Sequence, residues 1–179
     1  MPLTPLHTAF AYLAKKSVLK LSLPALIVGS MLPDLEIPLI YLATTSQFNR
    51  LFLHSLFGAA TLGTLLSVLL TVFLYPAVVS IIFRLERKAL EEECRFSSSL
   101  MISCLFGCLS HVLIDALHHE FNPILYPFVK VSFDSLVLFG NQELASSVVH
   151  LAFTGILMLV LGWELTKGIH GFWERVLVG

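Results

Sequence analysis

Charged residues are scarce in this chain of 179 residues. Asp, Glu, Lys and Arg together make up 13% of the sequence, whereas 56% of the residues are hydrophobic and the mean hydropathy is +0.86. Soluble globular domains carry about 25% charged residues, and a soluble domain of this length would expose much of its apolar surface to water. The composition therefore argues against an ordinary soluble protein and favours an integral membrane protein.

Positive charge is not in excess either. The 11 Lys and Arg residues are balanced by 12 Asp and Glu residues, which gives a formal net charge of −1. Proteins that bind nucleic acid by releasing counterions from phosphates need a field of positive charge. We therefore expect membrane lipids, and no nucleic acid, as partners.

Cysteine is rare, and a leader segment is not evident. Cys94, Cys104 and Cys108 are an odd number of cysteines, and their spacing fits no zinc finger, so they define no disulfide framework. Residues 1–7 lack the basic-then-apolar order and the cleavage site of a signal peptide. We therefore expect membrane insertion to use internal segments.

Long apolar runs are what the sequence has in place of charge. About 20 apolar residues in a helix cross the hydrocarbon core of a bilayer, and several runs here reach that length. The pattern predicts an all-α fold, a polytopic membrane helical bundle that forms one integral membrane domain over residues 1–179. We predict a short helix over 5–16, a broken segment over 21–44, spans over about 51–75, 97–117 and 144–166, and an interfacial segment over 118–142.

Prolines and acids interrupt the apolar segment over 21–44 near its centre. The interrupting residues are Pro33, Asp34, Glu36 and Pro38. Broken backbone and charge are tolerated at membrane depth only where they face protein or a water-filled cavity. We therefore predict a broken or re-entrant N-terminal helical hairpin, in which a half-helix ends at Asp34.

Polar side chains recur along one face of the predicted span over 97–117. Their spacing of three and four residues places them on one stripe of an α-helix. The stripe comprises Cys104, Cys108, His111, Asp115 and His118. Because imidazole nitrogen and carboxylate oxygen both bind zinc and similar metals, His111 and Asp115 can converge on one cation. A buried His–Asp hydrogen bond without metal is the alternative, and the cysteines fit small packing residues.

Further candidate ligands come from separate segments. His7 precedes the first short helix, Asp34 ends the half-helix, and His54 opens the second long apolar segment. If the first two helices form a hairpin, these three residues return to the side on which His111 and Asp115 lie. A carboxylate within a membrane segment needs a cation or a hydrogen-bond donor nearby, so both aspartates are functional candidates.

Basic residues should then gather at the opposite end of the helices. Only Arg50 and Lys130 fall on the side of the candidate ligands. The others lie at the far helix ends: Lys15, Lys16, Lys20, Arg84, Arg87, Lys88, Arg95, Lys167 and Arg175. Because basic residues stay on the cytoplasmic side, we predict that the site faces the non-cytoplasmic side of a plasma or inner membrane.

The order of these residues resembles that of a known family. The matching pieces are Pro-Leu-His7-Thr, Gly29-Ser-Met-Leu-Pro33-Asp34, His54-Ser55, Leu-Ser110-His111-Val-Leu-Ile-Asp115 and Asn122-Pro123. In this order they resemble small membrane proteins described as membrane-bound metal-dependent hydrolases, and the resemblance covers about residues 1–127. The early histidine, the Pro-Asp pair and the His-x-x-x-Asp helix are also distantly similar to the zinc-dependent phospholipase C group.

The resemblance implies a metal site on inward-facing helix ends. Its ligands would be His7, Asp34, His54, His111 and Asp115, and its cofactor would be a divalent metal, zinc in the first place. The phospholipase C group uses a three-metal centre, which needs more histidines and acids than the stripe offers. We therefore expect one or two ions.

The leading functional hypothesis is a hydrolase that acts on a lipidic phosphoester or ester near the bilayer surface. The metal would acidify water and polarise the ester, while His118, His119 or Glu36 would act as a base or orient a ligand. Ser55, beside His54, is a second candidate nucleophile, but it has no evident base and better fits a helix cap.

Two other hypotheses stay open. A non-enzymatic metal or proton carrier would use the cysteine and histidine stripe as a transit path, although the candidate ligands cluster at one end and we expect no buried polar partner at the basic end. A structural membrane protein with an incidental polar cluster would bind no metal.

Overall fold

The chain folds as a bundle of helices. A computed structural model describes residues 6–44 and 50–179, and these residues form helices and loops with no strand among them. The predicted all-α fold is therefore confirmed. Within the described part of the chain, four helices are long and apolar enough to cross a membrane: Leu23–Leu42, Leu56–Phe83, Ser98–Ala116 and Gln142–Thr166.

The first two helices form a hairpin. Helix α1 comprises His7–Ser17 and helix α2 comprises Leu23–Met31; Pro5, where we predicted the first helix to begin, lies outside the described residues. The connection is closed by Lys15, whose Nζ donates a hydrogen bond to the carbonyl oxygen of Leu21 at 2.8 Å. A lysine in the last turn of α1 also offsets the negative end of the helix dipole.

The interruption that the sequence predicts follows α2. A 3-10 turn, Leu32–Leu35, joins α2 to helix α3, which comprises Glu36–Thr44. Pro33 lies in the first turn of this element, where a residue without an N–H is tolerated. The chain therefore tightens for one turn and then continues as α3, and Asp34 lies in the middle of a candidate span.

Helix α4 comprises Leu56–Phe83. It begins where the hydroxyl oxygen of Ser55 accepts a hydrogen bond from the backbone N–H of Gly58 at 2.9 Å. This contact confirms the prediction of a helix-capping hydroxyl. Two π turns, Ala59–Gly63 and Leu70–Leu74, widen the helix.

Four further helices complete the bundle of described elements. Helix α5 comprises Arg87–Glu93, α6 comprises Ser98–Ala116, α7 comprises Gln142–Thr166 and α8 comprises Phe172–Leu177. The side chain of Asn141 accepts a hydrogen bond from the third residue of α7, as a helix-capping residue does.

Residues 117–141 lie over the ends of α4 and α6, and we call them the cover segment. They correspond, within one residue at each end, to the predicted interfacial segment over 118–142, and they contain two short 3-10 turns. The backbone N–H of Leu56 donates a hydrogen bond to the carbonyl oxygen of Ile124 at 2.9 Å. The rings of Phe57 and Phe128 meet edge to face at 5.1 Å. The cover segment is thus attached to the beginning of α4.

Helices α2 and α6 lie side by side and run in the same direction. Near their beginnings, the backbone N–H of Ser22 donates to the hydroxyl oxygen of Ser103 at 2.8 Å. Eight residues further along each helix, the carbonyl oxygen of Ser30 lies 2.7 Å from Nδ1 of His111. The two helices therefore reach the same end of the bundle together.

Two glycines bring the backbones of α2 and α6 into contact. A Cβ atom added to Gly29 would lie 2.6 Å from the carbonyl oxygen of Cys104, and one added to Gly107 would lie 2.8 Å from that of Leu26. Inside a membrane, helices associate through such close packing rather than through the hydrophobic effect. The glycines thus fix the distance between the two helices.

A buried acid lies at the other end of the bundle. Glu164 of α7 is fully buried, and its carboxylate accepts hydrogen bonds from Arg175 Nε at 2.7 Å, from Lys167 Nζ at 2.6 Å and from the hydroxyl of Tyr12. The expectation that no buried polar partner lies at the basic end is therefore wrong. An acid one turn before the end of an apolar helix was the available signal.

The outer surface of the long helices is apolar. Phe73 and Ile81 of α4 and Leu151 and Leu159 of α7 each expose between 74% and 79% of their surface. In water, such a continuous apolar surface would be an aggregation hazard. In a bilayer it matches the hydrocarbon chains, which supports the assignment of these helices as spans.

Candidate metal centre

Four side chains from three parts of the chain converge beneath the cover segment. Asp34 comes from the 3-10 turn after α2, His54 precedes α4, and His111 and Asp115 lie in the last two turns of α6. One ligand atom from each lies within 4.8 Å of all the others. The sequence analysis predicted all four residues as ligands, and the fold brings them to one point.

The distances within this cluster are those of a ligand set. His111 Nε2 lies 3.5 Å from Asp34 Oδ1 and 3.5 Å from Asp115 Oδ2, and His54 Nε2 lies 3.8 and 3.7 Å from the same two atoms. Four ligands held about 2.0–2.2 Å from a tetrahedral ion are roughly 3.3–3.6 Å apart. The four His–Asp distances are therefore close to those around a tetrahedral ion, and all four atoms lie within 4.8 Å of one another.

Both imidazole rings are oriented by a partner behind them. Nδ1 of His54 lies 3.0 Å from Oε2 of Glu36, and Nδ1 of His111 lies 2.7 Å from the carbonyl oxygen of Ser30. Since both partners are acceptors, each ring donates through Nδ1–H and keeps the lone pair of Nε2. Neither Nε2 atom has a hydrogen-bond partner among the described residues, so both point unpaired into the cluster.

Glu36 organises the loop that carries His54. Its carboxylate accepts hydrogen bonds from the backbone N–H groups of Leu51, Phe52 and Leu53, at 3.0, 2.7 and 3.1 Å. With the Nδ1–H group of His54, four donors surround one buried carboxylate. We predicted Glu36 as a base or an orienting group, and its contacts are those of an orienting group.

Asp115 also faces a second group of ligands. Its Oδ1 atom lies 3.8 Å from His118 Nε2, and Asp115, His118 and His119 can offer atoms within 4.8 Å of one another. Burial lowers the pKa of His118, and burial lowers the pKa of His119 to about 3 with help from the charge of Arg50. Both rings are therefore neutral at physiological pH, with Nε2 atoms that lack a hydrogen-bond partner among the described residues.

His7 lies beside the cluster rather than within the set of four. Its ring centroid is 4.5 Å from that of His111, and both of its nitrogens are buried with no hydrogen-bond partner in the described part of the chain. Burial lowers the pKa of His7 to about 4, so the ring is neutral. The fold thus brings the fifth predicted ligand next to the centre.

The cysteines of the predicted stripe face a neighbouring helix. Cys108 Sγ lies 3.3 Å from the hydroxyl of Ser67, and Cys104 Sγ lies 3.8 Å from that of Thr71, both on α4. The groups of described residues that could hold a metal contain no cysteine. The prediction that Cys104 and Cys108 are packing residues agrees with these contacts.

Arg50 is a member of the site that the sequence analysis did not select. It is 6% exposed, and its Nε lies 3.4 Å from Oδ2 of Asp115. The available signal was a basic residue on the ligand side, four residues before His54. Lys130, the other basic residue on that side, is exposed.

An apolar groove leads along the surface of the bundle to Asp34. It is open, has a volume of about 680 Å³ and lies between α2, α3 and α4. Its lining is apolar except for a few side chains: Thr8, Ile27, Val28, Met31, Leu32, Asp34, Leu35, Ile37, Pro38, Leu70, Leu74, Tyr75, Val78, Val79, Phe83 and Leu177. The groove therefore connects the lipid-facing surface with one ligand of the cluster.

Comparison with known proteins identifies a family. A family model described as YdjM inner membrane protein matches residues 3–177, which is nearly the whole chain. No curated protein and no solved structure matches the chain. The match supports a location in the inner membrane, and its description names no activity.

Proposed function

The chain belongs to the YdjM inner membrane protein family, and we propose that it is a membrane-embedded metal-dependent hydrolase of a lipidic phosphoester or ester. The observation that carries the proposal is the convergence of Asp34, His54, His111 and Asp115. Buried polar atoms without partners are costly, and two unpaired Nε2 atoms between two carboxylates are explained at once by a shared cation.

The ligand chemistry favours zinc. Two imidazole nitrogens and two carboxylates suit a divalent ion of borderline softness, and tetrahedral separation suits zinc in particular. Zinc can also accept a fifth ligand, which leaves room for water beside four protein ligands. Bound there, the ion would polarise the ester and lower the pKa of nearby water toward about 7.

The side chains around the cluster supply the remaining requirements of hydrolysis. Water adds to the phosphorus or carbonyl carbon, the bond to the alcohol oxygen breaks, and that oxygen takes up a proton. His118 Nε2 lies 3.8 Å from Asp115 Oδ1 and has no hydrogen-bond partner in the described part of the chain. It is placed to accept a proton from the attacking water and to return it to the leaving alcohol.

The apolar groove supports a lipidic substrate. Its floor reaches Asp34, so an acyl chain lying in the groove would bring the ester at its head to the cluster. An acyl chain gains binding free energy by burying apolar surface in such a groove, whereas a small polar molecule has little apolar surface to bury. The cover segment supplies His118 and His119 beside Asp115 and is attached to the beginning of α4.

A carrier is less well supported by the contacts. The buried polar side chains that continue from the cluster along α6 are uncharged and pair with α4: Cys108 Sγ lies 3.3 Å from the hydroxyl of Ser67, and Cys104 Sγ lies 3.8 Å from that of Thr71. The groups of described residues that could hold a metal include none of these four side chains, whereas a path for metal ions across the membrane needs ligands along its length. The hydrolase is therefore the function that these residues support best.

Metal content tests the proposal first. The protein purified in detergent is expected to contain about one zinc ion per chain by elemental analysis. His111→Gln and Asp115→Asn each remove one ligand and should weaken zinc binding by more than about 100-fold. Mutation of a group that only hydrogen-bonds to a metal ligand already lowers metal affinity by about 10–100-fold. Hydrolysis of phosphoester and ester lipids should disappear with the metal, including after removal of zinc by a chelator, and return when zinc is added.

A matched control separates this result from general damage. His170 is an exposed histidine at the opposite end of the bundle, so His170→Gln should keep both zinc and activity. Wild-type protein without stoichiometric metal would overturn the proposal, as would zinc retained by both ligand variants. Zinc uptake into sealed vesicles without turnover would show a carrier instead.

A further inference from the structure

Arg50 places a buried positive charge beside the candidate metal centre. We propose that its guanidinium binds the phosphoryl oxygens of the substrate, so that the centre acts on phosphoesters rather than on neutral esters. This inference rests on the proposed function and narrows its substrate class. It also adds an anion-binding site to the candidate ligands.

The contacts of Arg50 are incomplete. The residue is 6% exposed, and its Nε and Nη2 atoms are buried without a hydrogen-bond partner among the described residues. Its nearest charge is Asp115, at 3.4 Å between Nε and Oδ2. A buried guanidinium with unpaired N–H groups is costly unless an anion with several acceptor oxygens occupies the space beside it.

Metal binding increases the need for that anion. The Oδ2 atom of Asp115 that faces Arg50 is also the atom that lies 3.5 Å from His111 Nε2, within the proposed ligand set. Once this oxygen binds a cation, its charge no longer compensates Arg50. The carboxylate of Glu36 offers Arg50 no free acceptor, because four N–H donors already surround it.

A phosphoester can bind the metal ion and the Arg50 guanidinium at the same time. Its oxygens carry negative charge, and a guanidinium binds two of them through parallel N–H groups. A neutral carboxylic ester offers a single carbonyl oxygen without charge, so it would leave Arg50 uncompensated. Arg50 therefore distinguishes the two substrate classes that the metal centre alone does not.

The loop geometry links Arg50 to the ligands. Leu51, the next residue, donates its backbone N–H to Glu36 at 3.0 Å, and Glu36 also holds the ring of His54. The same carboxylate thus fixes the backbone of residues 51–53, which joins Arg50 to His54. The Arg50 backbone and the His54 ring are therefore held close together by one group.

Binding of inorganic phosphate to the zinc-loaded protein tests the inference. By calorimetry in detergent, Arg50→Gln should weaken phosphate binding by about 10–100-fold while the zinc content stays at the wild-type value. Arg50→Lys should keep zinc and recover part of the phosphate affinity. Lysine keeps the positive charge but lacks the two parallel N–H groups of a guanidinium. Lys130→Gln, which removes the exposed base on the same side, should change neither quantity.

The outcomes separate this inference from the proposed function. Unchanged phosphate affinity in zinc-loaded Arg50→Gln overturns the inference and leaves the hydrolase intact. Loss of zinc in both Arg50 variants also overturns it, since Arg50 would then only hold Asp115. Wild-type protein without zinc contradicts the proposed function instead, and Arg50-dependent phosphate binding would still show the anion site.

Substrate comparison gives a second readout. In bilayers that contain either a phosphomonoester lipid or a neutral ester lipid, the wild type should hydrolyse the phosphoester, and Arg50→Gln should lose that preference. Soluble glycerol phosphate distinguishes a lipid headgroup from a free phosphoester: preference for the lipid form places the phosphate on a membrane substrate. Equal preference ratios in wild type and Arg50→Gln would contradict the assignment.

Discussion

Glu36 connects two parts of the candidate centre through one carboxylate. It accepts hydrogen bonds from Leu51, Phe52 and Leu53 and from the ring of His54. The backbone of the loop and the orientation of a ligand therefore depend on the same four contacts. A residue that touches no ion in this arrangement can still decide how tightly the ion binds.

Glu36→Gln is expected to weaken zinc binding by about 10–100-fold. Glutamine keeps the shape, but its amide nitrogen is a donor and cannot accept hydrogen bonds from the loop N–H groups. Competition with a chelator of known affinity measures the effect. Glu143→Gln, an exposed acid in the first turn of α7, is the matched control; equal zinc affinity in both variants would show that Glu36 has no orienting role.

The sequence could predict the ligands better than their surroundings. The spacing of His111 and Asp115 determines that both lie on one helical face, so their convergence follows from helix geometry. The burial of Arg50 depends on how the loop before α4 folds against α6. No short-range pattern encodes that contact, and a basic residue near a helix start is usually exposed.

At the scale of elements, the parallel pair of α2 and α6 sets the spacing of the ligands. Gly29 and Gly107 allow the two backbones to touch, and the candidate ligands Asp34 and His111 follow four to five residues later in the chain. Small residues at such crossings are common in membrane helices. The separation of the ligands thus depends on positions that carry no side chain.

Gly107→Ala is expected to destabilise the protein by about 1–3 kcal/mol and to lower its zinc affinity. The added methyl group would lie 2.8 Å from a backbone oxygen of α2, so the helices must separate. Thermal unfolding in detergent and zinc titration measure the two effects. Gly155→Ala on α7, where nothing lies within 4 Å, should leave zinc binding unchanged; equal behaviour of the two variants would contradict the packing argument.

The sequence predicted the interruption of the second helix but not its continuation. Pro33 and the acids around it indicate a break, because proline removes a backbone donor. In the structure the interruption is limited to a single 3-10 turn, Leu32–Leu35, and the α-helix resumes at Glu36. Whether a proline ends a helix or only tightens it is decided by tertiary packing, which lies beyond local sequence.

At the scale of the whole molecule, charge and ligands separate to opposite ends. Lys15, Lys20 and Arg95 line one surface pocket at the basic end, and Lys167 and Arg175 bind Glu164 there. The candidate ligands lie toward the other end of α6. This separation was predictable, because the order of apolar segments alternates the two ends along the chain.

Labelling of introduced cysteines tests the predicted orientation. In sealed right-side-out vesicles, an impermeant maleimide should label Glu120→Cys on the ligand side and not Lys88→Cys at the basic end. The native thiols should not be labelled, because all three are buried. Burial also raises the pKa of Cys94 to about 12, so its thiol remains protonated. Permeabilised vesicles should label both variants, and the reverse pattern in sealed vesicles would place the site in the cytoplasm.

The groove that reaches Asp34 is open and is lined almost entirely by apolar side chains, most of them from α2, α3 and α4. A lipidic substrate of the proposed hydrolase would enter this groove by lateral diffusion within one leaflet, and its concentration in bulk water would have no direct influence on the encounter. The reaction would then follow the mole fraction of substrate among the surrounding lipids. Inert lipid added at constant total substrate would slow the turnover by surface dilution alone.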